Sequence, residues 1–197
     1  MHPLLATLAT VLARQPGVPA ETDGSPARAA VALALRHDAR GSLEVLLIRR
    51  AERAGDPWSG QVALPGGRAS PVDPSLVHTA VRETWEETGI DLHAHGRILG
   101  TLDELRPRTA TLPAIIVTPV VAALEPARGP LPPLVLSDEV ADAFWVPLDQ
   151  LRDPAASRES TVHVRGATWR VPSFVLGEHV VWGMTERILR QLLSRLG

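Results

Sequence analysis

The sequence of 197 residues contains no cysteine and no lysine, and each absence excludes a class of chemistry. Without cysteine the chain has no thiol nucleophile, no disulfide and no thiolate metal site. All 20 basic residues are arginine, so the chain also lacks a Schiff-base lysine and the lysine of a phosphate-binding P-loop. Any chemistry of this chain therefore depends on other side chains.

The chain also has little net charge and no long apolar run. With a net charge of -2, 45% hydrophobic and 21% charged residues, it has the composition of a soluble globular protein. It has no basic excess to bind a nucleic-acid backbone, and no run approaches the roughly 18 apolar residues of a membrane span. The N-terminal stretch lacks the positively charged start of a signal peptide, so we predict a cytoplasmic protein with an amphipathic N-terminal helix.

The order of the predicted elements indicates the fold class. We predict that residues 1–27 form a helix followed by a Pro/Gly-rich linker, and that residues 28–197 form the main domain. Two apolar runs at its start predict a β-hairpin, followed by a helix from Asp73 to Gly89, further strands and a final helix over 178–196. Strands before and after a single early helix favour an α+β or layered α/β/α domain around a mixed sheet.

The helix that begins near Asp73 carries three glutamates on one face. At about 100° per residue, Glu87 lies about 40° from Glu83 on one side and Glu86 about 60° on the other. We expect the opposite face to pack against the core, and its residues are Val77, Val81, Thr84, Trp85 and Thr88. The glutamates are either a solvated acidic surface, partly neutralised by Arg82, or a site for a hard divalent cation.

The loop before this helix, "LPGGR" at residues 64–68, favours the cation site. Mg²⁺ and Mn²⁺ prefer oxygen ligands, and carboxylates at i and i+4 point in the same direction. Glycine removes the obstruction of a side chain and lets a backbone carbonyl approach. Arg82 would then hold one glutamate in place.

Residues 67–90 resemble the Nudix box, whose pattern is Gly-x5-Glu-x7-Arg-Glu-apolar-x-Glu-Glu-x-Gly-apolar. The matching residues are Gly67, Arg82, Glu83, Glu86, Glu87, Gly89 and Ile90. Asp73 fills the early acidic position, and the gap from Asp73 to Arg82 is one residue longer than in the general pattern. The resemblance implies a Nudix fold, which is an α/β/α sandwich around a mixed β-sheet. It also implies metal-dependent hydrolysis of a nucleoside diphosphate linked to another group.

Three further segments resemble the coenzyme A diphosphatase branch of the Nudix hydrolases. They are "LLIRRA" at 46–51, "GQVALPGG" at 60–67 and "VVWGMTERIL" at 180–189, and the whole likeness spans roughly residues 28–193. It implies coenzyme A or an acyl-CoA as the substrate, with 3′,5′-ADP and phosphopantetheine as products. In this branch a basic residue precedes the glycine of "GQV" by four positions, whereas this chain has Asp56 there.

The resemblance also implies roles for single residues. Glu83 and Glu87 would be the principal ligands of Mg²⁺ or Mn²⁺, and Glu86 would serve a second metal or position a water. The Gly66 carbonyl would be the backbone ligand, and Arg82 would orient the carboxylates.

The candidates for a general base are Glu139 and Glu104. The candidates for binding the 3′-phosphate of the substrate are Arg49, Arg50, Arg53 and Arg68. Trp58 either stacks on an adenine or anchors its loop on the core.

Two alternatives remain open for the function. The same chemistry could act on ADP-ribose, a dinucleotide or another nucleoside diphosphate derivative. The chain could also be a Nudix-fold binding module without catalysis, although such modules commonly lose box carboxylates and all three are present here. In each case the partner is a small nucleotide, and the resemblance allows a homodimer.

Overall fold

The computed structural model describes residues 2–22, 24–55, 58–107, 114–125, 129–164 and 166–197, so Asp56 lies outside the described residues. The helices are α1 (Pro3–Arg14), α2 (Leu76–Thr88), α3 (Leu148–Arg152) and α4 (Gly183–Leu196). The strands are β1 (Ala27–His37), β2 (Leu43–Arg50), β3 (Val62–Ala63), β4 (Gly66–Arg68), β5 (Gly96–Thr101), β6 (Ile115–Leu124), β7 (Val140–Pro147), β8 (Ser157–Val164), β9 (Ala167–Leu176) and β10 (His179–Trp182). Within these ranges no helix is long and apolar enough to cross a membrane.

The strands form two sheets. In the larger sheet β1 is central, since it pairs in parallel with β6 and antiparallel with β2 and β4. The strand β2 also pairs with β3 and β7, and β5 pairs with β6. The smaller sheet is antiparallel, with the order β10-β9-β8. The parallel β1–β6 pair among antiparallel neighbours makes the larger sheet mixed, which confirms the predicted α+β class.

Helices cover both faces of the larger sheet. The helix α2 packs against β1 on one face, and α1 and α4 contact each other on the opposite face. Alternate residues of β1 point to these two layers. Ala30, Ala32 and Ala34 lie in the layer with α2, whereas Leu33 and Leu35 lie in the core with α1 and α4. The result is the predicted α/β/α sandwich.

The two ends of α2 differ in how well they could be predicted. Asp73 does not cap the N-terminus, because Ser75 is the cap and its Oγ accepts the His78 N–H at 3.3 Å. The Asp73 carboxylate instead binds the guanidinium of Arg82, a charged donor that is a stronger partner than an amide. The predicted C-terminal cap is confirmed, since Gly89 has a left-handed φ of 75°.

Trp85 was expected in the core, and this prediction is wrong because its side chain is 59% exposed. Thr84 and Thr88 are buried as predicted, and the other buried residues of α2 are Thr79, Ala80 and Glu87. The two threonine hydroxyls donate to backbone carbonyls one turn earlier, so their burial leaves no polar group unpaired. Ala80 of this helix lies in one core layer with the alanines of β1.

The C-terminal region also differs from the prediction. The predicted helix over 178–196 is correct only from Gly183 onward, since the preceding residues form β10. The strands β8 and β9, which complete the smaller sheet with β10, were not predicted. Most of their side chains are exposed, so they lack the long apolar runs that indicated β1 and β2.

The N-terminal helix belongs to the core beneath the larger sheet. Its buried side chains are Leu5, Leu8 and Leu12. The linker after α1 is held by hydrogen bonds, because the Val18 N–H donates to Asp103 Oδ1 at 3.0 Å and Arg195 Nη1 donates to the Gln15 carbonyl at 3.3 Å. The helix therefore packs with the residues of the main domain, and the division at residue 27 stays a prediction about domain organisation.

Substitution of Leu8 tests the packing of α1. We expect Leu8→Ala to lower the free energy of unfolding by about 2–4 kcal/mol, because Leu8 is 0% exposed and its removal leaves a cavity. Leu4, which is 37% exposed on the same helix, provides the matched control, and Leu4→Ala should cost less than about 1 kcal/mol. Urea denaturation measures both values. Equally small effects would contradict the described packing.

Candidate active site

The strands β1 and β2 diverge, and residues 62–68 cross between them. The strand β1 pairs with β2 over residues 35–37 and with β4 over residues 29–31. The crossing segment first pairs with β2 as β3 and then with β1 as β4. The glycine-rich loop is therefore fixed between two halves of the sheet, and α2 packs directly against it.

Gly66 and Glu87 form the first contact between this loop and α2. The Gly66 N–H donates to Glu87 Oε2 at 2.8 Å. Gly66 has a φ of 151°, and a Cβ there would lie 2.3 Å from the Ala30 carbonyl oxygen. Only glycine therefore fits at this position. The contact buries Glu87, which is 4% exposed. The Gly66 carbonyl stays a predicted ligand.

Gly67 and Glu83 form the second contact. A Cβ at Gly67 would lie 2.4 to 2.6 Å from the three carboxyl-group atoms of Glu83. The carboxylate therefore rests directly on the backbone of the loop, in a space that any side chain at position 67 would fill. This explains physically why the loop needs a second glycine.

Arg82 uses all five of its N–H groups. Its Nε and Nη2 donate to the two Asp73 carboxylate oxygens at 3.0 and 2.9 Å, and Nη2 also donates to the Arg68 carbonyl at 3.2 Å. Its Nη1 donates to Glu83 at 2.8 Å and to Glu86 at 2.9 Å. Arg82 is therefore placed to orient two of the three box glutamates, as the resemblance implies.

The carboxylates of the site carry negative charge that is only partly compensated. Burial raises the pKa of Glu87 to about 7, although the hydrogen bond from the Gly66 N–H and the positive charge of Arg50 each act to lower it. Burial also raises the pKa of Glu83, against the hydrogen bond and charge of Arg82. The charge of Glu139 raises the pKa of both glutamates. Such a group of carboxylates is stabilised by any cation that enters it.

Glu139 lies in a segment attached to the C-terminal end of α2. The Val135 N–H donates to the Thr88 carbonyl at 3.0 Å, and the Ser137 N–H donates to the Glu87 carbonyl at 3.3 Å. These bonds bring Glu139 to the same end of the molecule as the box glutamates. Its function as a general base stays a prediction.

Glu104, the other candidate for the base, lies in a separate cluster. Its carboxylate accepts the Thr118 hydroxyl at 2.7 Å and the Ala20 N–H at 3.1 Å, and it forms an ion pair with Arg28. Burial acts to raise the pKa of Glu104, but these hydrogen bonds and the Arg28 charge outweigh it and lower the pKa. Its oxygens are occupied by contacts that hold the N-terminal linker on the sheet.

Three of the predicted substrate-binding residues occupy different places around the loop. Arg50 ends β2, and its charge acts on Glu87. Arg68 is exposed on β4, and its carbonyl accepts an N–H of Arg82. Trp58 is half-buried in the turn before β3. The substrate contacts of all three stay predictions.

Sequence reasoning missed how Asp73 takes part in the site. Its carboxylate accepts the Ser70 N–H and the Thr79 hydroxyl, both at 2.9 Å, in addition to Arg82. These bonds fix the carboxylate, and the carboxylate fixes the guanidinium. A separation of nine residues between Asp73 and Arg82 is not a helical contact spacing, so the box resemblance was the sole signal for this position.

The oxygen donors fit a hard divalent cation in type and charge. Glu83, Glu86 and Glu87 supply carboxylates from one face of a helix, which is the chemistry that Mg²⁺ and Mn²⁺ prefer. In the part of the chain that the structure describes, no three His, Asp or Glu side chains are arranged to hold a metal ion as they stand. The reason is that the carboxylates contact Arg82 and the Gly66 N–H instead. A cation would compete with these contacts.

A cavity of about 560 Å³ lies between the end of β2 and the smaller sheet. Its volume is that of a small-molecule site, but the α2 carboxylates do not line it. Arg49 lines this cavity, whereas the charge of the neighbouring Arg50 acts on Glu87. The cavity is therefore distinct from the carboxylate site.

Comparison with known families decides what this arrangement is. A family model described as the Nudix domain matches residues 26–164, which is more than half of the chain. The chain belongs to the Nudix family. Nudix hydrolases generally need a divalent metal such as Mg²⁺ or Mn²⁺. The elements α1, β9, β10 and α4 lie outside the matched Nudix range.

Curated Nudix proteins resemble this chain over most of its length. The mitochondrial coenzyme A diphosphatase NUDT8 of Homo sapiens is 36% identical over 188 residues, covering 91% of this chain and 74% of that protein. An uncharacterized Nudix hydrolase, NudL of Photorhabdus laumondii, is 35% identical over 153 residues, covering 77% of this chain and 76% of that protein. The likeness to NUDT8 therefore extends beyond the Nudix domain itself.

Solved structures confirm the Nudix fold. A MutT/nudix family protein from Enterococcus faecalis matches with a TM-score of 0.59 and 20% identity, covering 98% of this chain and 69% of that chain. The NUDIX domain of Shewanella oneidensis NrtR, complexed with ADP ribose, matches with a TM-score of 0.57 and 20% identity, covering 89% of this chain and 91% of that chain. At these identities the matches support the fold alone.

The raised pKa of Glu87 predicts how the metal-free Nudix protein responds to pH. Between the unfolded value of about 4.5 and the folded value of about 7, the folded state holds a proton that the unfolded state releases. The contribution of Glu87 to stability is therefore fully present below pH 4.5 and is lost as the pH rises through 7. We expect the free energy of unfolding in EDTA to fall by on the order of 2 kcal/mol from pH 5 to pH 8.

Two variants test this assignment by urea denaturation at both pH values. Glu87→Gln should reduce the fall, because its amide can still accept the Gly66 N–H but carries no charge. Glu86→Gln is the matched control, since the Glu86 side chain is 48% exposed, and it should leave the fall unchanged. The same fall in wild type and Glu87→Gln would contradict the assignment.

Gly67→Ala tests the contact between the loop and Glu83. The new Cβ would displace the flexible carboxylate and not the backbone, so we expect a small change in melting temperature but Mn²⁺ binding weaker by about tenfold or more. Electron paramagnetic resonance measures the free Mn²⁺. Adding Gly67→Ala to Glu83→Gln should cause little further loss if the effect passes through Glu83. Independent losses would show that the loop acts in another way.

Proposed function

We propose that this Nudix hydrolase cleaves the diphosphate of coenzyme A or an acyl-CoA, giving 3′,5′-ADP and phosphopantetheine or its acyl derivative. The observation that carries the proposal is the 36% identity to the human coenzyme A diphosphatase over 91% of this chain. That likeness includes residues beyond the end of the general Nudix match at 164, so it adds to family membership.

The positions of the branch-specific segments support the same substrate class. The segment 46–51 ends β2 at Arg50, whose charge acts on Glu87. The segment 60–67 crosses between β1 and β2 where these strands diverge, and it contacts Glu83 and Glu87. Two stretches that mark the coenzyme A branch in sequence therefore border the box carboxylates in space.

The metal in this proposal is Mg²⁺ or Mn²⁺, held by Glu83 and Glu87 with help from Glu86 and the Gly66 carbonyl. When bound, it would neutralise charge on the diphosphate and lower the pKa of the attacking water. The raised pKa of Glu87 and the crowding of negative charge support a cation at this place. Arg82 keeps Glu83 and Glu86 close to the loop through its contacts to Asp73.

The remaining residues of the site bind the substrate and move a proton. The water oxygen forms a bond to one phosphorus while the bridging P–O bond breaks, and the other phosphate leaves. Glu139 accepts a proton from this water, since its carboxylate lies close enough to act on Glu83 and Glu87. Arg50 and Arg68 bind phosphate oxygens, and Trp58 stacks on the adenine.

One observation favours a second candidate substrate. The branch has a basic residue where this chain has Asp56, which is unfavourable for a 3′-phosphate. ADP-ribose, a dinucleotide or another nucleoside diphosphate derivative lacks this group and is the alternative. A binding module without catalysis is the weaker reading, because all three box glutamates are present. The cytoplasmic location and the homodimer stay predictions.

A substrate panel with Mg²⁺ and Mn²⁺ tests the proposal. Coenzyme A, acetyl-CoA and ADP-ribose are incubated separately, and the products are resolved by chromatography. We expect 3′,5′-ADP and phosphopantetheine from coenzyme A, and no activity after EDTA treatment. Turnover of ADP-ribose without turnover of coenzyme A would remove the proposed substrate and keep the Nudix chemistry.

Matched variants test the metal ligands in the same assay. Glu83→Gln and Glu87→Gln should each lower kcat/KM by about a hundredfold or more, because each removes a carboxylate from the metal and its water. Glu159→Gln removes an exposed carboxylate from β8 and should have no effect. Activity in Glu83→Gln and Glu87→Gln equal to that of the wild type would defeat the ligand assignment.

A further inference from the structure

Arg53 and Glu139 form an ion pair at the exposed edge of the site. Arg53 Nη1 donates to Glu139 Oε1 at 3.0 Å, and the two side chains are 49% and 54% exposed. The backbone on both sides is anchored, since the Arg53 N–H donates to Ser59 Oγ at 2.9 Å and the Glu139 carbonyl accepts the Ala51 N–H at 2.8 Å. The side chains can therefore change partner without movement of the main chain.

Through Glu139, this ion pair lies within electrostatic range of the box glutamates. The segment that carries Glu139 is bonded to the last turn of α2 through the Ser137 N–H and the Glu87 carbonyl, at 3.3 Å. The charge of Glu139 also acts on both Glu83 and Glu87. An anionic substrate that reaches these glutamates with its metal therefore arrives next to Arg53.

Arg53 and Arg82 differ in how firmly they are held. Arg82 is 28% exposed and uses five N–H groups on Asp73, two glutamates and a carbonyl. Arg53 holds Glu139 in solvent, where an ion pair contributes little net stability. A phosphate can accept two parallel hydrogen bonds from one guanidinium, which is a stronger interaction. Arg53 is thus the guanidinium that substrate can recruit at small cost.

We propose that Arg53 binds a phosphate of the substrate diphosphate, and that Glu139 holds Arg53 at the edge of the site until the substrate arrives. The inference rests on the proposed function, because it requires a diphosphate substrate. When Arg53 turns to the phosphate, the Glu139 carboxylate loses its partner beside Glu83 and Glu87. It is then available to accept the proton of the attacking water, so that substrate binding and release of the base are one event.

The experiment measures the affinity of an inert analogue by calorimetry in Mg²⁺. In this analogue a CH₂ group replaces the bridging oxygen of whichever substrate the wild type cleaves, coenzyme A or ADP-ribose. An error in the proposed coenzyme A specificity is therefore seen in the substrate panel and does not affect this test. Arg53→Gln should weaken binding by about tenfold, and Arg53→Lys should restore part of it.

A double-mutant cycle distinguishes exchange of partners from a general charge effect. Glu139→Gln alone should strengthen binding by about threefold or more, because Arg53 is no longer held by a carboxylate. On the Arg53→Gln background the same substitution should leave the affinity unchanged. In turnover, Arg53→Gln should mainly raise KM, whereas Glu139→Gln should mainly lower kcat.

The control is Arg40→Gln, which removes one positive charge from an exposed turn between β1 and β2. That turn follows the end of β1 remote from Gly66, so binding should equal that of the wild type. Unchanged affinity in Arg53→Gln would overturn the proposal. An equal gain from Glu139→Gln with and without Arg53 would overturn it too, since an ion pair that merely tethers its loop gives no coupling in the cycle.

Discussion

The arrangement of α2 depends on the five N–H groups of one guanidinium. Glutamates at i and i+4 repel each other, and burial adds to the cost of their charge. Arg82 offsets part of this cost by binding Glu83, Glu86 and Asp73 at the same time. A lysine ammonium is a point charge with three donors and lacks the planar fork that this requires. The charged face of the helix and its position on the loop both follow from that contact.

The compensation is incomplete, and this suits the site to its chemistry. Glu87 accepts the N–H of Gly66 and feels the charge of Arg50, but burial still raises its pKa, so its carboxylate favours a proton or a cation. Such a group lowers the stability of the folded protein at neutral pH. Active sites commonly give up stability in this way, because groups that are already satisfied have little to offer a ligand.

The features that could be predicted from the sequence are those that depend on neighbouring residues along the chain. Helical spacing placed the three glutamates on one face, Gly89 marked the end of α2, and two apolar runs indicated the β1–β2 hairpin. What escaped depends on contacts between distant residues. Asp73 binds Arg82 and does not cap the helix, and Trp85 lies outside the core. The strands β1 and β2 are separated where residues 62–68 pair with both of them. The site residues could be named, but their charges and partners required the fold.

The small side chains of β1 beneath α2 link the packing of the interior to the position of the box glutamates. Ala30, Ala32 and Ala34 set the height of the helix above the sheet, and a longer side chain at any of them would lift it. The glutamates meet the loop across this same gap, so lifting the helix would also withdraw them from Gly66 and Gly67. A substitution in that alanine layer is therefore expected to disturb the carboxylate site, although the three alanines are not among the predicted ligands.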